Sequence, residues 1–359
     1  MKFDIGERGI TPIIAYPRVC YKDVVYTECA KDVDKVAPAE VFLYTRPIYE
    51  FPMKLLCVDT GDQMTLQSNG EWLCVCGKVY PVQSGIVVAW PTNMDTLAKE
   101  EATYHDHFDE AATEVHQLSS YRNMFYHKRI WDAIKTVPKG SAVLEIGAGS
   151  GFDASQLKNE YELTLSDVSP KTLVRLADKL QILPKSCVAA DGAVLPFANS
   201  SFAAVYLIAT LHHFPQPIKP LTEMHRVLQP GGVLAIGIEP NATYFRFIKK
   251  FRTLLCRATH EGVHDGSHAD EEMEGFTKKE LQNALPEELW ENIEIKPVWF
   301  FAGFMQYGLE FLFRALKLKK RIVLPKWLDC FVVSVDELLF KIPGLDYFAW
   351  HWNIIAKRK

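Results

Sequence analysis

The segment around residue 147 contains the residue types that bind a nucleotide-bearing cofactor. Gly147, Gly149 and Gly151 follow an apolar run, and a helical pattern begins directly after them at Phe152. Glycines permit a tight turn and let a ligand approach the backbone with no Cβ in the way, beside the N–H groups of a helix N-terminus. Glu145 precedes the first glycine, and a carboxylate there suits a cationic amine or sulfonium better than a pyrophosphate.

The spacing of these glycines differs from that of a dinucleotide-binding turn. The dinucleotide fingerprint is G-x-G-x-x-G, and its third glycine lets the helix pack closely on the strand. In this sequence Phe152 occupies the third-glycine position. A phenylalanine would obstruct that packing, so a dehydrogenase is the least favoured function.

Two further carboxylates follow the next apolar runs. Asp167 ends the second run about twenty residues after the glycines, where a carboxylate can accept both ribose hydroxyls, in dinucleotide sites as well. Asp191, followed by Gly192, closes the third run, where it can accept a hydrogen bond from the exocyclic amine of an adenine. These positions predict a site for an adenosine-containing cofactor.

Two histidines, His212 and His213, follow the fourth apolar run. In a parallel α/β sheet, ligands bind at the carboxyl ends of the strands, and a histidine there can remove a proton near neutral pH. Either histidine is a candidate catalytic base, and a packing role is the alternative. His264 and His268 lie in the acidic segment 260–275, which is predicted to be a solvated loop, and no metal site is predicted.

Alternating strands and helices must position these residues. Compact apolar runs separated by helical patterns are typical of a parallel α/β sheet. Helices are predicted near 169–181 and 217–227. The predicted strands are 142–146, 162–167, 186–189, 202–208 and 232–239.

The chain divides into four regions by composition. Residues 1–95 are predicted to form a small β-rich unit with a turn at Ser84-Gly85, and 96–138 a helical lid or linker. Residues 139–240 are the predicted cofactor-binding core. Residues 241–359 form an aromatic remainder with helical patterns, expected to cover the sheet and build the substrate pocket.

Residues 139–239 resemble the class I S-adenosylmethionine-dependent methyltransferases, in the small-molecule branch related to ubiquinone-biosynthesis methyltransferases. The resemblance rests on five motifs in the family's order, and the family often has Asp where this sequence has Ala203. The motifs are E-x-G-x-G-x-G at 145–151, Asp167, DGAVLPF at 191–197, SFAAVYLIATLHHF at 201–214 and EMHRVLQPGGVLAI at 223–236.

This resemblance implies a doubly wound, mostly parallel seven-stranded Rossmann-like methyltransferase sheet, with a small N-terminal β unit and helical additions. It also implies S-adenosylmethionine as the cofactor and S-adenosylhomocysteine as the product. Asp167 would bind the ribose, and Asp191 with Gly192 the adenine. The glycines Gly147, Gly149 and Gly151, with Glu145 nearby, would line the methionine moiety.

A cysteine-containing segment near residue 57 resembles the zinc-ribbon-like unit that precedes some bacterial methyltransferase domains. Cys57 and Cys76 match that pattern, Thr60 and Leu73 replace two of its cysteines, and Cys74 is one position out of register. A structural zinc ion needs four ligands. The pattern therefore predicts a degenerate ribbon without metal, with His105 as the alternative fourth ligand.

The composition of the chain indicates which kinds of binding partner and which cellular location to expect. The chain has 359 residues with a formal net charge of −4, which disfavours nucleic acid as a partner. Eight cysteines without secretory features indicate a cytoplasmic protein. The Phe- and Leu-rich C-terminal helices with the KLKKR segment could contact a membrane surface peripherally. The sequence leaves the oligomeric state open.

These observations predict a methyltransferase that acts on a small-molecule, glycan or lipid-like acceptor, most simply at oxygen. Methylation of carbon, nitrogen or RNA is the alternative chemistry. From a different class, the chain could be a non-catalytic partner subunit that binds the cofactor. The sequence does not identify the acceptor.

Overall fold

The computed structural model describes residues 54–107, 121–183, 186–243, 275–315 and 324–359, except for some side chains near the end of the helix at 301–315. All of these residues belong to one compact unit, Pro47–Lys359. The predicted acidic loop at 260–275, with His264 and His268, lies outside the described residues apart from Gly275. The basic KLKKR segment, residues 317–321, also lies outside them.

Residues 54–107 form five short strands and one helix. The strands are β1 (Thr65–Leu66), β2 (Trp72–Leu73), β3 (Val79–Tyr80), β4 (Val82–Gln83) and β5 (Ile86–Ala89), and the helix is α1 (Thr96–His107). The turn between β4 and β5 lies at Ser84-Gly85, where both residues have positive φ, 49° and 85°. Two consecutive positive φ angles characterise the tight turns that suit a β-hairpin, and this turn is where the sequence predicts it.

The middle of the chain alternates helices and strands. The elements are α2 (Tyr121–Ile134), β6 (Ala142–Ile146), α3 (Phe152–Leu157), β7 (Glu162–Asp167), α4 (Pro170–Leu180), β8 (Cys187–Ala190), β9 (Phe202–Ile208), α5 (Ile218–Val227) and β10 (Leu228–Pro240). A short 3-10 helix, Leu211–His213, follows β9.

The described residues from 275 onward form three helices and two strands. The elements are α6 (Lys278–Ala284), β11 (Trp290–Val298), α7 (Phe301–Ala315), α8 (Lys326–Leu339) and β12 (His351–Arg358). A 3-10 helix at Leu345–Phe348 precedes β12. In the described part of the chain, no helix combines the length and the hydropathy needed to cross a bilayer.

The strands β4 to β12 form one nine-stranded sheet in the order β11-β12-β10-β9-β6-β7-β8-β5-β4. The six adjacent strands from β10 to β5 in this order are all parallel to one another. The strand β12 is antiparallel to both β10 and β11. Seven of the strands, from β8 to β11 in this order, form the predicted doubly wound Rossmann-like sheet. The order reverses direction beside β6, and ligands bind at such a switch point.

Helices cover both faces of the sheet because neighbouring residues of a strand point to opposite faces. On β6, Val143 packs in a cluster with Ile130 and Ile134 of α2. Its neighbour Leu144 packs in a different cluster with Met224 of α5. The apolar runs without alternation in the sequence therefore correspond to strands that are buried on both faces.

The N-terminal β unit is attached to the main sheet. β5 pairs in parallel with β8, with Val87 opposite Val188 and Ala89 opposite Ala190. A backbone hydrogen bond of 2.9 Å from Leu56 N–H to the Pro196 carbonyl joins the same two regions. β1, β2 and β3 form a separate antiparallel sheet.

Candidate cofactor and acceptor site

The glycine turn lies between β6 and α3, against the end of β9. Gly147 has a φ of +68°, and a Cβ at this position would lie 2.5 Å from both Cγ2 and Oγ1 of Thr210. Real Cβ atoms do not approach other atoms so closely, and the left-handed backbone also disfavours a side chain. Gly147 is therefore required for two reasons, the left-handed backbone of the turn and the close approach of Thr210.

Asp167 lies at the end of β7 and faces the glycine turn. Its Oδ2 accepts a hydrogen bond of 3.0 Å from the Gly149 N–H, and its Oδ1 accepts one of 2.9 Å from the Ser169 N–H. These two bonds fix the orientation of the carboxylate beside the glycine turn. This geometry suits the predicted ribose contact.

Glu145, in β6, is buried beneath the turn. Its Oε2 accepts a hydrogen bond of 2.8 Å from the Tyr206 hydroxyl of β9. Burial, followed by the nearby Asp153 and Asp167, raises the pKa of Glu145 well above its ordinary value. A cationic ligand group near Glu145 would favour the ionised carboxylate again, because opposite charges lower the pKa of an acid.

Asp153 explains how the turn accommodates Phe152. The Asp153 Oδ1 lies 2.8 Å from Nδ1 of His127 and 2.7 Å from Nε1 of Trp131, both in α2. The Phe152 ring packs edge to face on His127, with centroids 5.3 Å apart. Phe152 therefore points toward α2. His127, Trp131 and Asp153 are not predicted from the sequence, because no local motif marks them.

Asp191 and Gly192 follow β8 directly. Asp191 Oδ1 accepts a hydrogen bond of 2.9 Å from the Ala193 N–H, and burial raises the pKa of the Asp191 carboxyl. A Cβ at Gly192 would lie 2.6 Å from Cζ of Phe214. Gly192 therefore allows the Phe214 ring to approach the backbone beside Asp191. That Asp191 and Gly192 bind adenine remains a prediction.

His212 is held by a buried carboxylate. Its Nδ1 lies 3.0 Å from Oε2 of Glu239, in β10, and Glu239 also accepts backbone N–H bonds from Thr210, Leu211 and His212. Burial would raise the pKa of Glu239, but the hydrogen bond and the charge of His212, together with the backbone bonds, outweigh burial and lower it. The His212–Glu239 pair thus holds the 3-10 turn after β9.

His213 has different partners, on α1. Its Nδ1 lies 2.9 Å from Oε2 of Glu101, and the same oxygen lies 3.4 Å from Nε2 of His105. Glu101 is buried, whereas His105 and His213 are partly exposed. We call Glu101, His105 and His213 the α1–β9 cluster. The predicted candidate His213 thus belongs to a group whose other two members the sequence analysis did not assign to catalysis.

Helix α1 is docked beside the end of β7 as well. Asp106 Oδ1 accepts hydrogen bonds from the Ser169 hydroxyl, at 2.7 Å, and from the Lys171 N–H, at 3.3 Å. Arg175 of α4 donates to the His105 carbonyl at 2.7 Å. One end of α1 is therefore held near Asp167, and its buried Glu101 reaches His213 after β9.

Arg122 and Tyr104 contact side chains outside the glycine turn. Arg122 Nη1 lies 3.1 Å from Oδ1 of Asp329, in α8, and its Nη2 donates to Oε1 of Gln306 at 2.5 Å. The Tyr104 ring packs edge to face on His105. Arg122 therefore joins α2 to the C-terminal helices.

Three cysteines meet in the N-terminal β unit. The sulfur atoms of Cys57, Cys74 and Cys76 lie within 4.8 Å of one another, and Thr60 Oγ1 lies 3.6 Å from the Cys74 sulfur. Burial would raise the pKa of Cys57, but hydrogen bonds with Thr60 and Tyr80 lower it to about 6. His105 lies in the α1–β9 cluster instead. The degenerate zinc ribbon remains a prediction.

The family model described as "Methyltransferase domain" matches residues 144–236. These residues run from β6 to β10 and contain the glycine turn, Asp167, Asp191 and both adjacent histidines.

Several curated proteins are similar to part of the chain. A demethylmenaquinone methyltransferase of Renibacterium salmoninarum is 30% identical over 156 residues, which is 42% of this chain and 65% of that protein. A 2-methyl-6-phytyl-1,4-hydroquinone methyltransferase of Synechocystis is 25% identical over 52% of this chain and 64% of that protein. A fatty-acid O-methyltransferase of Mycolicibacterium smegmatis is 31% identical over 33% of this chain and 44% of that protein. The chain thus spans less than two thirds of these relatives.

Among solved structures, the phosphoethanolamine N-methyltransferase 2 of Haemonchus contortus in complex with S-adenosyl-L-methionine aligns with a TM-score of 0.47 at 16% identity. The alignment covers 75% of this chain and 61% of that one. Residues 144–236 thus match a methyltransferase domain, and they form the parallel centre of the sheet.

Proposed function

We propose that this protein transfers the methyl group of S-adenosylmethionine to an oxygen atom of a small, apolar acceptor. One observation carries the proposal: a cofactor turn and a cluster of proton-accepting side chains lie at the carboxyl ends of β6, β7 and β9. The turn contains Gly147 beside Asp167, and the α1–β9 cluster contains His213.

The proposed reaction is a displacement at the sulfonium carbon. The acceptor oxygen forms a bond to the methyl carbon, the bond from that carbon to sulfur breaks, and S-adenosylhomocysteine leaves as a neutral thioether. The sulfonium is already activated, so the protein mainly aligns the acceptor and excludes water. The hydroxyl proton must also leave, and we place its departure at the α1–β9 cluster.

Of the two adjacent histidines, His213 is the better candidate for this role. Glu239 holds both the ring and the backbone N–H of His212, which favours a structural role for His212. His213 is partly exposed and joins Glu101, whose carboxylate can hold the ring in one tautomer. An oxygen acceptor must lose its hydroxyl proton, and this arrangement supplies a group that can accept it.

The proposal of an apolar acceptor draws on helix α8. Its exposed side chains Trp327, Phe331 and Leu338 are 71%, 63% and 62% exposed and share one helix face, because they are separated by four and seven positions. Exposed Lys326 and Lys341 flank this apolar stripe. We propose that the stripe rests on an anionic lipid surface, from which a lipid-like acceptor reaches the site. The names of the quinone and fatty-acid relatives are consistent with such an acceptor.

Calorimetric titration with S-adenosylhomocysteine, with NADH as a control, tests the cofactor. We expect S-adenosylhomocysteine to bind with a micromolar dissociation constant, which corresponds to a binding free energy of about −8 kcal/mol, and NADH not to bind. Incubation with methyl-labelled cofactor and a panel of hydroquinones, fatty acids and prenylated phenols then tests the acceptor. A methyl ether or ester supports the proposal. A labelled carbon–methyl product would contradict oxygen transfer, and cofactor binding without transfer to any acceptor class would favour a non-catalytic partner subunit.

A further inference from the structure

The α1–β9 cluster has the composition of a metal site. It contains two imidazoles and one carboxylate, and their ligand atoms all lie within 4.8 Å of one another. Glu101 and His105 are one helical turn apart on α1, so their side chains share a face, and His213 reaches them from the turn after β9. Catalytic zinc sites commonly use three such ligands and leave a fourth position open.

The distances within the cluster match those around a small divalent cation. Zinc bonds to histidine nitrogen and carboxylate oxygen are about 2.0–2.2 Å, so tetrahedral ligand atoms are separated by roughly 3.3–3.6 Å. Here Glu101 Oε2 lies 2.9 Å from His213 Nδ1 and 3.4 Å from His105 Nε2. The distance from Glu101 to His105 already lies in this range, and the distance from Glu101 to His213 would reach it after a shift of a few tenths of an ångström.

The backbone on both sides of the cluster is fixed. Arg175 and the Thr172 hydroxyl both donate to the His105 carbonyl, at 2.7 and 3.1 Å. Glu239 holds the backbone N–H of His212, immediately before His213. Ligands on a rigid backbone lose less conformational freedom when they bind a metal.

We propose that Glu101, His105 and His213 bind one divalent transition-metal cation of the zinc type, with an open position for the acceptor oxygen. This inference rests on the proposed function and specifies how the proton leaves. An acceptor hydroxyl bound at the open position becomes acidic, because a cation stabilises the alkoxide or phenolate. The O–H bond breaks and the proton passes to water. The oxygen then takes the methyl group, and the resulting ether no longer carries the charge that held it to the cation.

Cobalt(II) titration of the full-length protein tests this proposal, because cobalt replaces zinc and reports its ligands by absorption. We expect one equivalent to bind with visible d–d bands and without the near-ultraviolet thiolate band. Glu101→Gln and His105→Asn should each weaken cobalt binding by at least about tenfold, since even outer contacts of metal sites have effects of that size. His105 is partly exposed, so H105N keeps the test usable if the buried Glu101 variant fails to fold.

The three-cysteine group is the competing site, and Cys76→Ser is the matched control because Cys76 is its exposed member. C76S should leave the d–d bands unchanged. Absence of cobalt binding, or a spectrum with a thiolate band that C76S removes and H105N does not, would overturn the proposal.

A second measurement separates this proposal from the proposed function. If methyl transfer proceeds equally well after chelator treatment and removal of bound metal, the cation proposal is wrong and the methyltransferase function stands. If cobalt binds as expected but no acceptor is methylated, the metal site stands and the proposed function fails.

Discussion

At the scale of single residues, His212 and His213 show how adjacent identical side chains acquire different roles. His212 pairs with Glu239 of β10, a fully buried carboxylate that also accepts hydrogen bonds from three backbone N–H groups, and is thereby fixed to the sheet. His213 lies on Glu101 of a helix that precedes the core. The two residue types are identical, and the partner decides which of them holds the fold and which is available to the site.

Asp167→Ala should weaken S-adenosylhomocysteine binding by about 10- to 100-fold. The variant loses charge-assisted hydrogen bonding to the ligand hydroxyls, with a net loss of about 1.5–3 kcal/mol, and releases the Gly149 N–H of the turn. Calorimetric titration measures the change. Asp132→Ala is the matched control, because Asp132 is exposed and pairs with Lys128. Equal affinities of the Asp167 and Asp132 variants would contradict the ribose assignment.

Glu145→Gln should change how stability depends on pH. The pKa of Glu145 is raised in the folded protein, so the folded state binds more protons than the unfolded state above about pH 4.3. The contribution of Glu145 to the free energy of unfolding is therefore lost as pH rises, and glutamine, which mimics the protonated acid, does not lose it. Urea unfolding should show E145Q gaining stability relative to wild type between about pH 5 and about pH 8.

Glu162→Gln is the control for this pH comparison, because Glu162 is exposed at the start of the next strand. Its difference from wild type should be the same at both pH values. A constant difference for E145Q as well would show that Glu145 is ionised in the folded protein.

The residues of the cofactor turn were predictable because the chemistry of that site is local in sequence. Gly147, Gly149 and Gly151 lie within one turn, and Asp167 ends the next strand at the same edge. Glu101 and His105 were not predictable in this way, since Glu101 is 112 positions from His213. Only the docking of α1 brings them together, and no motif in either segment records it.

At the scale of elements, strands inside the core were predicted better than strands at the ends of the chain. The predictions for β6, β7 and β9 match the structure at both ends, because polar residues and glycines bound each apolar run. The tail was predicted to be helical and aromatic, yet it also contains β11 and β12. These two strands are antiparallel and have aromatic or charged residues at many positions. Their sequences therefore show neither the hydrophobic period of a strand nor that of a helix clearly.

Asp106→Ala should loosen α1 without unfolding the sheet. The variant removes the acceptor for the Ser169 hydroxyl and the Lys171 N–H, two bonds that together contribute roughly 1–3 kcal/mol. Hydrogen exchange in residues 96–107 should become about tenfold faster through local opening. Glu100→Ala, at an exposed position of the same helix, should leave the rate unchanged. Unchanged exchange in D106A would mean that other contacts hold α1.

At the scale of the whole molecule, the apolar stripe of α8 determines where we expect the protein to work. Trp327→Ser combined with Phe331→Ser should reduce binding to anionic phospholipid vesicles by at least about tenfold, since burying each side chain contributes about 1.5–3 kcal/mol. Vesicle flotation measures the bound fraction. Leu289→Ser is the control, because Leu289 is 44% exposed and lies outside the stripe. Equal flotation of both variants would refute lipid contact through α8.

The position of β12 also constrains how the protein can be synthesised. β12 contains residues 351–358 and lies between β10 and β11, which do not pair with each other. On the ribosome, β10 therefore keeps an unpaired edge, and β11 has no neighbour in the sheet, until more than a hundred further residues have emerged after β10. Unpaired strand edges promote aggregation of nascent chains. A chain whose translation stopped before residue 351 would contain the whole cofactor turn and still leave this edge exposed, so a premature stop there should yield insoluble protein.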